Sequence, residues 1–231
     1  MSREITIDPI TRLEGHGKIS IFLDDDGAVE DCYFQIPELR GFERFVEGRP
    51  IEELPRIVTR ICGVCPASHH MASAKAVDGC FDWQVPLLAH KLREMYYNAH
   101  YIHSHIAHFY ALAAPDFVCG PDADPAERNI LGVVAKVGLE IGGKVIEARS
   151  QAQRIQTIIG GRSTHLVWCL PGGVSKGLKK EELEEIRPLV ANLYDFTQFS
   201  LQLFRDVVLG NEAYVDLILN GPYTLDLHHM G

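Results

Sequence analysis

Beyond about residue 50 the apolar residues of this chain recur almost everywhere with helical spacing, which excludes most sheet-based folds from the outset. Only the first stretch alternates apolar with polar residues: "EITIDP" at 4–9, "HGKISIFL" at 16–23 and "AVEDCYF" after the turn sequence "DDDG". That alternation predicts a small antiparallel unit at the N-terminus. One further weak strand signal, "HLVWCL", lies at 165–170. The expected architecture is mainly α: a helical bundle with a small N-terminal antiparallel β unit, α+β taken together. Its expected division is a β unit with its connection over 1–48 and one continuous helical domain over 49–231, truncated at its C-terminal side.

Local punctuation refines this. Pro66 suits the first position of a helix running to about Asp78 and ended by Gly79, which puts Cys65 at or beside the N-cap. A long helix is expected from about Leu87 to Ala113. Another is expected from "DPAE", with Asp124 as cap, Pro125 first and Glu127 completing a capping box. Gly138 and Gly142 predict close packing or a break near 142–143. A last long helix is expected from Lys180 to Leu209, kinked at Pro188. The closing "YTLDLHHMG" has neither a helix cap nor a polar tail, as if the chain stops before its fold does.

Acidic residues outnumber basic ones 31 to 22, and no Lys/Arg run marks a nucleic-acid or anionic-membrane surface. Neither a signal-peptide apolar region nor an eighteen-residue apolar stretch occurs, so a cytoplasmic protein is expected, with no nucleic acid and no membrane among its partners. Of six cysteines (Cys32, Cys62, Cys65, Cys80, Cys119, Cys169), only Cys62 and Cys65 form a close pair, and such a pair favours metal or redox work over a disulfide framework.

That pair sits in "TRICGVCPASHH", residues 59–70. At a helix start both thiols are expected to lean toward thiolate, the form that binds metals and attacks disulfides. A dithiol couple calls for a strand just before the motif, whereas "IEELPRIVTR" reads as helical. Cys62, Cys65 and His69 are plausible zinc ligands, yet a structural zinc site needs four and no second knuckle is present. A softer metal centre stays equally open on spacing alone. The histidines of the long helix, His100, His103, His105 and His108, read as core or relay residues rather than as ligands.

Alongside other segments the motif acquires a family. "RICGVCPASH" (60–69) resembles the Arg-x-Cys-Gly-x-Cys-x-x-x-His signature of the large subunit of nickel-iron hydrogenases, and "DPITRLEGHGKI" (8–19), "RGFERFVEGRP" (40–50) and "GGRSTHLVWCLPGGV" (160–174) resemble three further blocks in the family's order. With "APDF" at 114–117, the likeness is strongest to the cytoplasmic methyl-viologen-reducing, F420-non-reducing type, ahead of the NAD-reducing type. The resemblance implies the bundle fold of that large subunit and reversible oxidation of dihydrogen. It implies a Ni-Fe centre with CO and cyanide on iron, held here by Cys62 as terminal nickel ligand and Cys65 as nickel-iron bridge.

By the same resemblance His69 hydrogen-bonds around the bridging cysteine, Glu14 is the first proton acceptor, and Glu43 ligates magnesium. Their unspecialised alternatives are a solvated Glu14 and an ion pair of Glu43 with Arg40 or Arg44. His165 matches a family histidine normally followed by proline. Leu166 follows it here, and its role is left open. The family's second Cys-x-x-Cys, its C-terminal magnesium-site histidine and the arginine above its metals have no counterpart in these 231 residues, so only the N-terminal half of the ligand set is expected. The implied partners are an iron-sulfur small subunit carrying the clusters, then heterodisulfide reductase with a further electron-transfer subunit, or a flavin diaphorase in the NAD-reducing case. A non-catalytic helical scaffold and a zinc-binding module remain the alternatives.

Overall fold

The computed structural model describes residues 3–38 and 40–221. Three strands, β1 (Arg3–Ile7), β2 (Lys18–Leu23) and β3 (Val29–Gln35), form an antiparallel sheet in sequence order. Ile5 lies opposite Ile21 and Ile21 opposite Cys32, while Ile7 lies opposite Ile19 and Ile19 opposite Phe34, so the period-two pattern gathers one apolar face. Asp24 closes the β2–β3 turn by accepting from the amides of Asp26 at 3.0 Å and Ala28 at 2.8 Å, and Gly27 supplies the left-handed φ of 84°. The rest is mainly helical, as the spacing predicts. The helices are α1 (Phe42–Val46), α2 (Leu54–Ile57), α3 (Pro66–Cys80), α4 (Leu87–Ala107), α5 (Ile130–Val137), α6 (Leu139–Gly160), α7 (Lys180–Phe204) and α8 (Glu212–Leu219). A two-residue hairpin, β4 (Cys169–Leu170) with β5 (Gly173–Val174), replaces the longer strand expected at 165–170.

Several boundaries differ from expectation for identifiable reasons. α3 runs past Gly79 to Cys80, because Gly79 keeps a helical backbone and the Phe81 amide still returns to the Val77 carbonyl at 3.3 Å. α4 continues as π-helical turns over His108–Ala113 and Pro115–Cys119. The segment from Asp124 forms turns, in which the Asp124 side chain accepts the Ala126 amide at 2.8 Å. The helix itself begins at Ile130, where Asn129 is extended and its Oδ1 accepts the amides of Leu131 at 2.8 Å and Gly132 at 3.2 Å. Gly132 is required there, since a Cβ would meet the Glu127 carbonyl oxygen at 1.8 Å. The break falls at Gly138, whose φ is 91°, and α6 passes unbroken through Gly142 and Gly143. α7 contains Pro188 within a continuous helix and ends in a π-helical turn over Arg205–Leu209. The closing "YTLDLHHMG" lies outside the described residues.

The chain divides into two compact units, the described parts of residues 1–98 with 159–177, and of 99–158 with 178–231. The contacts thus group the β unit with α1 to α3 and the β4–β5 hairpin, where the sequence suggests a division at 48. In the first unit Trp168, Tyr96, Leu166 and Val77 are fully buried. A buried ion pair ties the hairpin to α3 and α4: Arg93 donates to Asp78 at 2.5 Å and to the carbonyls of Leu170 and Gly173 at 2.7 Å, while Asp78 accepts the Gly172 amide at 2.6 Å. In the second unit Ala152, Ile155, Ile158 and Leu193 form the core. His100 and His103 are buried there, and His103 Nε2 accepts from the Arg149 guanidinium at 3.2 Å. His105 and His108 are exposed.

Two outcomes follow. Arg93→Leu leaves the Asp78 carboxylate buried without its cation, and the unfolding free energy measured in urea should fall by about 3–5 kcal/mol. Burial, and then the charge of Arg149, press the His103 pKa down from 6.5 to about 4, and burial also lowers that of His100. The unfolded chain therefore binds more protons below 6.5. Stability is fully present above 6.5 and is lost as pH falls toward 4, so the urea midpoint should drop between pH 7 and 4, with a shallower slope in His103→Gln.

Candidate metal centre

Residues 51–60 wind through a 3-10 turn (Ile51–Glu53), α2 and a second 3-10 turn (Val58–Arg60) directly into the Cys62 loop. Cys65 is the N-cap of α3 and Pro66 occupies the first turn, as the sequence predicts. The Cys65 amide donates to Cys62 Sγ at 3.0 Å, folding the loop back so that both sulfurs sit at the helix start. One ring nitrogen of His69, one turn further on, joins them: the three ligand atoms lie within 4.8 Å of one another. The Cys62 thiol in turn donates to Glu14 Oε1 at 3.3 Å, bringing the "RLEGH" block to the sulfur.

The expected thiolate character does not follow from the helix start alone. Burial pushes the Cys65 thiol up to about 12, reinforced by its hydrogen bond with Cys62, the charge of Cys62 and that of Glu14, with a backbone hydrogen bond opposing. Desolvation and two acidic neighbours outweigh the helix dipole here. A cation bound between the sulfurs would reverse that balance, because coordination replaces the proton. Two sulfurs and an imidazole converging in a largely buried cluster fit a soft divalent metal.

The loop is held chiefly through its backbone. His165 Nδ1 donates to the Thr59 carbonyl at 2.7 Å, while Arg40 donates to the carbonyls of Arg60 at 2.7 Å and Ile61 at 2.8 Å. Three successive carbonyls before Cys62 are thus occupied. His165 accepts a left-handed φ of 50° to do so, which gives this residue a place the sequence leaves open.

His70, which sequence reasoning passes over in favour of His69, braces the same region. Its Nδ1 donates to the Pro55 carbonyl at 2.8 Å, and its Nε2 accepts the amides of Cys169 at 2.9 Å and Trp168 at 3.3 Å. That bonding requires the neutral ring, and burial lowers its pKa accordingly. The signal was available: Ala67, His70, Met71, Ala74, Val77 and Asp78 are the buried stripe of α3 at helical spacing, and His69 lies off it. Glu43 is exposed on α1 and is not part of the cysteine cluster. Arg44 pairs with Glu47 and Arg40 with carbonyls, so among the described residues Glu43 has no ion pair.

Two family models match consecutive parts of the chain, HoxL-like over residues 4–39 and nickel-dependent hydrogenase over residues 40–135. The chain is 48% identical over 229 residues to an F420-non-reducing hydrogenase iron-sulfur subunit of Archaeoglobus profundus, covering 99% of this chain and 47% of that protein. It is 47% identical over 228 residues to an F420-non-reducing hydrogenase vhu subunit of Methanococcus voltae, covering 99% and 53%. The solved structure of an NAD+-reducing [NiFe]-hydrogenase in the H2-reduced state matches with a TM-score of 0.82 at 36% identity, over 94% of this chain and 48% of that one. The chain spans about half the length of the curated relatives it matches. With its cysteine pair at the head of α3 and these likenesses along nearly its whole length, the chain belongs to the family of nickel-dependent hydrogenase large subunits.

Proposed function

We propose that this chain supplies half of the ligand set of a nickel-iron centre in a hydrogenase that reversibly oxidises dihydrogen to protons and electrons. The observation that carries it is the convergence of Cys62, Cys65 and His69 with the Glu14 carboxylate on the Cys62 sulfur. When bound, such a metal pair supplies heterolytic cleavage of dihydrogen into a proton and a hydride. Cys62 would be the terminal nickel ligand and Cys65 the bridge to iron, whose remaining ligands would be CO and cyanide. Glu14, 3.3 Å from the Cys62 sulfur and exposed on its other side, takes a proton from that sulfur and hands it to water. His69 donates a hydrogen bond beside the bridging sulfur. Glu43, without an ion-pair partner among the described residues, is free to ligate magnesium.

The second thiolate pair comes from the rest of the large subunit. Electrons leave through an iron-sulfur small subunit, since this chain offers no cysteine set for a cluster. The relatives are named as single subunits of larger enzymes, and identity is higher to the F420-non-reducing type than to the NAD-reducing structure. Both facts support a multi-subunit enzyme of the F420-non-reducing type; the acceptor we propose from the family resemblance is of the heterodisulfide-reductase type, reached through a further electron-transfer subunit. The location we propose is cytoplasmic. No helix of the described residues is long and apolar enough to cross a membrane. A zinc-binding module is the second reading, favoured by the Cys2His geometry itself.

The anaerobically purified full assembly should contain nickel and iron, with infrared bands of iron-bound CO and cyanide; stoichiometric zinc without nickel would sink the proposal. Cys65→Ser should lose nickel. Glu14→Gln should keep it while proton-deuterium exchange with dihydrogen falls about 10²–10⁴-fold. In Arg40→Ala the released carbonyls of Arg60 and Ile61 should speed amide exchange in residues 61–65 about tenfold, as read by mass spectrometry.

A further inference from the structure

Beside the cysteine loop lies a basic, aromatic pocket that the chemistry above does not use. Its volume is about 540 Å3, and it is lined by Arg40, Phe42, Phe45, Arg56, Ile57 and Arg60. The chain as a whole carries a formal charge of -9, yet no acidic residue lines this pocket. The arginines nearby are matched: Arg44 pairs with Glu47, Arg49 with Glu53, and Arg40 with carbonyls. Arg56 and Arg60 are exposed, and among the described residues neither guanidinium has a carboxylate partner. Phe45 leaves 53% of its surface exposed, with the Arg49 guanidinium 4.3 Å from its ring centroid, and Arg40 stacks over Phe42 at 5.2 Å.

We infer that this pocket docks an acidic segment of a partner subunit. Charge complementarity selects the occupant: two unmatched guanidinium groups ask for two carboxylates, and the Phe42, Phe45 and Ile57 floor asks for one apolar side chain. Arg56 and Arg60 line one pocket four residues apart along a path that is part α and part 3-10, so their side chains start roughly 6–8 Å from each other. Alternate residues of an extended strand share a face at about 6.6 Å. An Asp/Glu-x-Asp/Glu stretch in extended form therefore matches the pair. Unpaired rim arginines steer a separately diffusing chain, an effect a covalently continuous segment does not need, which favours a partner subunit over the rest of this polypeptide. The site also has a mechanical link to the metal loop, because Arg40 forms the wall of the pocket and holds the carbonyls of Arg60 and Ile61.

The inference rests on the multi-subunit reading for the source of its partner, and the test separates the two. The full-length large subunit carrying Phe45→p-benzoylphenylalanine is photo-cross-linked within the purified assembly, and the captured peptide is identified by mass spectrometry. A peptide of another subunit with acidic residues two apart is the expected product. In parallel, Arg56→Glu should raise the dissociation constant for the partner at least tenfold at low salt, with the difference shrinking as salt rises. Arg56→Lys should recover most of the affinity, and Arg187→Glu, on the exposed face of α7, should change nothing. Capture of a segment without acidic residues, capture of the same polypeptide, or unchanged affinity in a folded Arg56→Glu would overturn the inference. Nickel content of the same samples reports the metal reading independently, since failure there leaves the cross-link untouched.

Discussion

Thr59, Arg60 and Ile61 end a short helical path whose last carbonyls cannot be satisfied within the helix, so their acceptors must be met from elsewhere. His165 and Arg40 meet them, and this makes the position of Cys62 a property of the tertiary fold. On the other side of the loop, Cys65 caps α3 and returns its amide to the Cys62 sulfur. His70 then fixes α3 against α2 and the β4–β5 hairpin through three buried hydrogen bonds. Two sulfurs can be offered at a fixed separation only because both ends of the loop are immobilised in this way.

Much of this was legible in advance because it rests on local rules. The period-two alternation before residue 35 and the helical period afterwards reflect which faces must be buried, and they predict the sheet and the bundle directly. Pro66 announces the start of α3, and with it the position of Cys65. Where two residues compete under one rule, the sequence cannot choose between them. Asp124 and Asn129 are both good caps, yet Asp124 closes only a turn and the helix starts behind Asn129. Gly138 and Gly142 are equally permissive, and only Gly138 takes a positive φ.

The site divides along the same line. The residues of its cluster are legible because a Cys-x-x-Cys-x-x-x-His spacing is local. Its supports are not, because they come from far along the chain: Arg40 acts twenty residues away and His165 about a hundred. His70 is the intermediate case. Its burial follows from the stripe of α3, while its partners at Trp168 and Cys169 are invisible until the hairpin is in place.

The ionisation of the loop bears on which chemistry it can perform. A dithiol couple works through a thiolate of lowered pKa, usually with fixed positive charge beside it. Here burial drives Cys65 to about 12, and its electrostatic neighbours, Cys62 and Glu14, push the same way. For Cys65, the positive charge that favours the thiolate would come with a bound cation. Coordination replaces a thiol proton, so a cation bound here would turn Cys65 from a partly buried thiol into an anionic ligand.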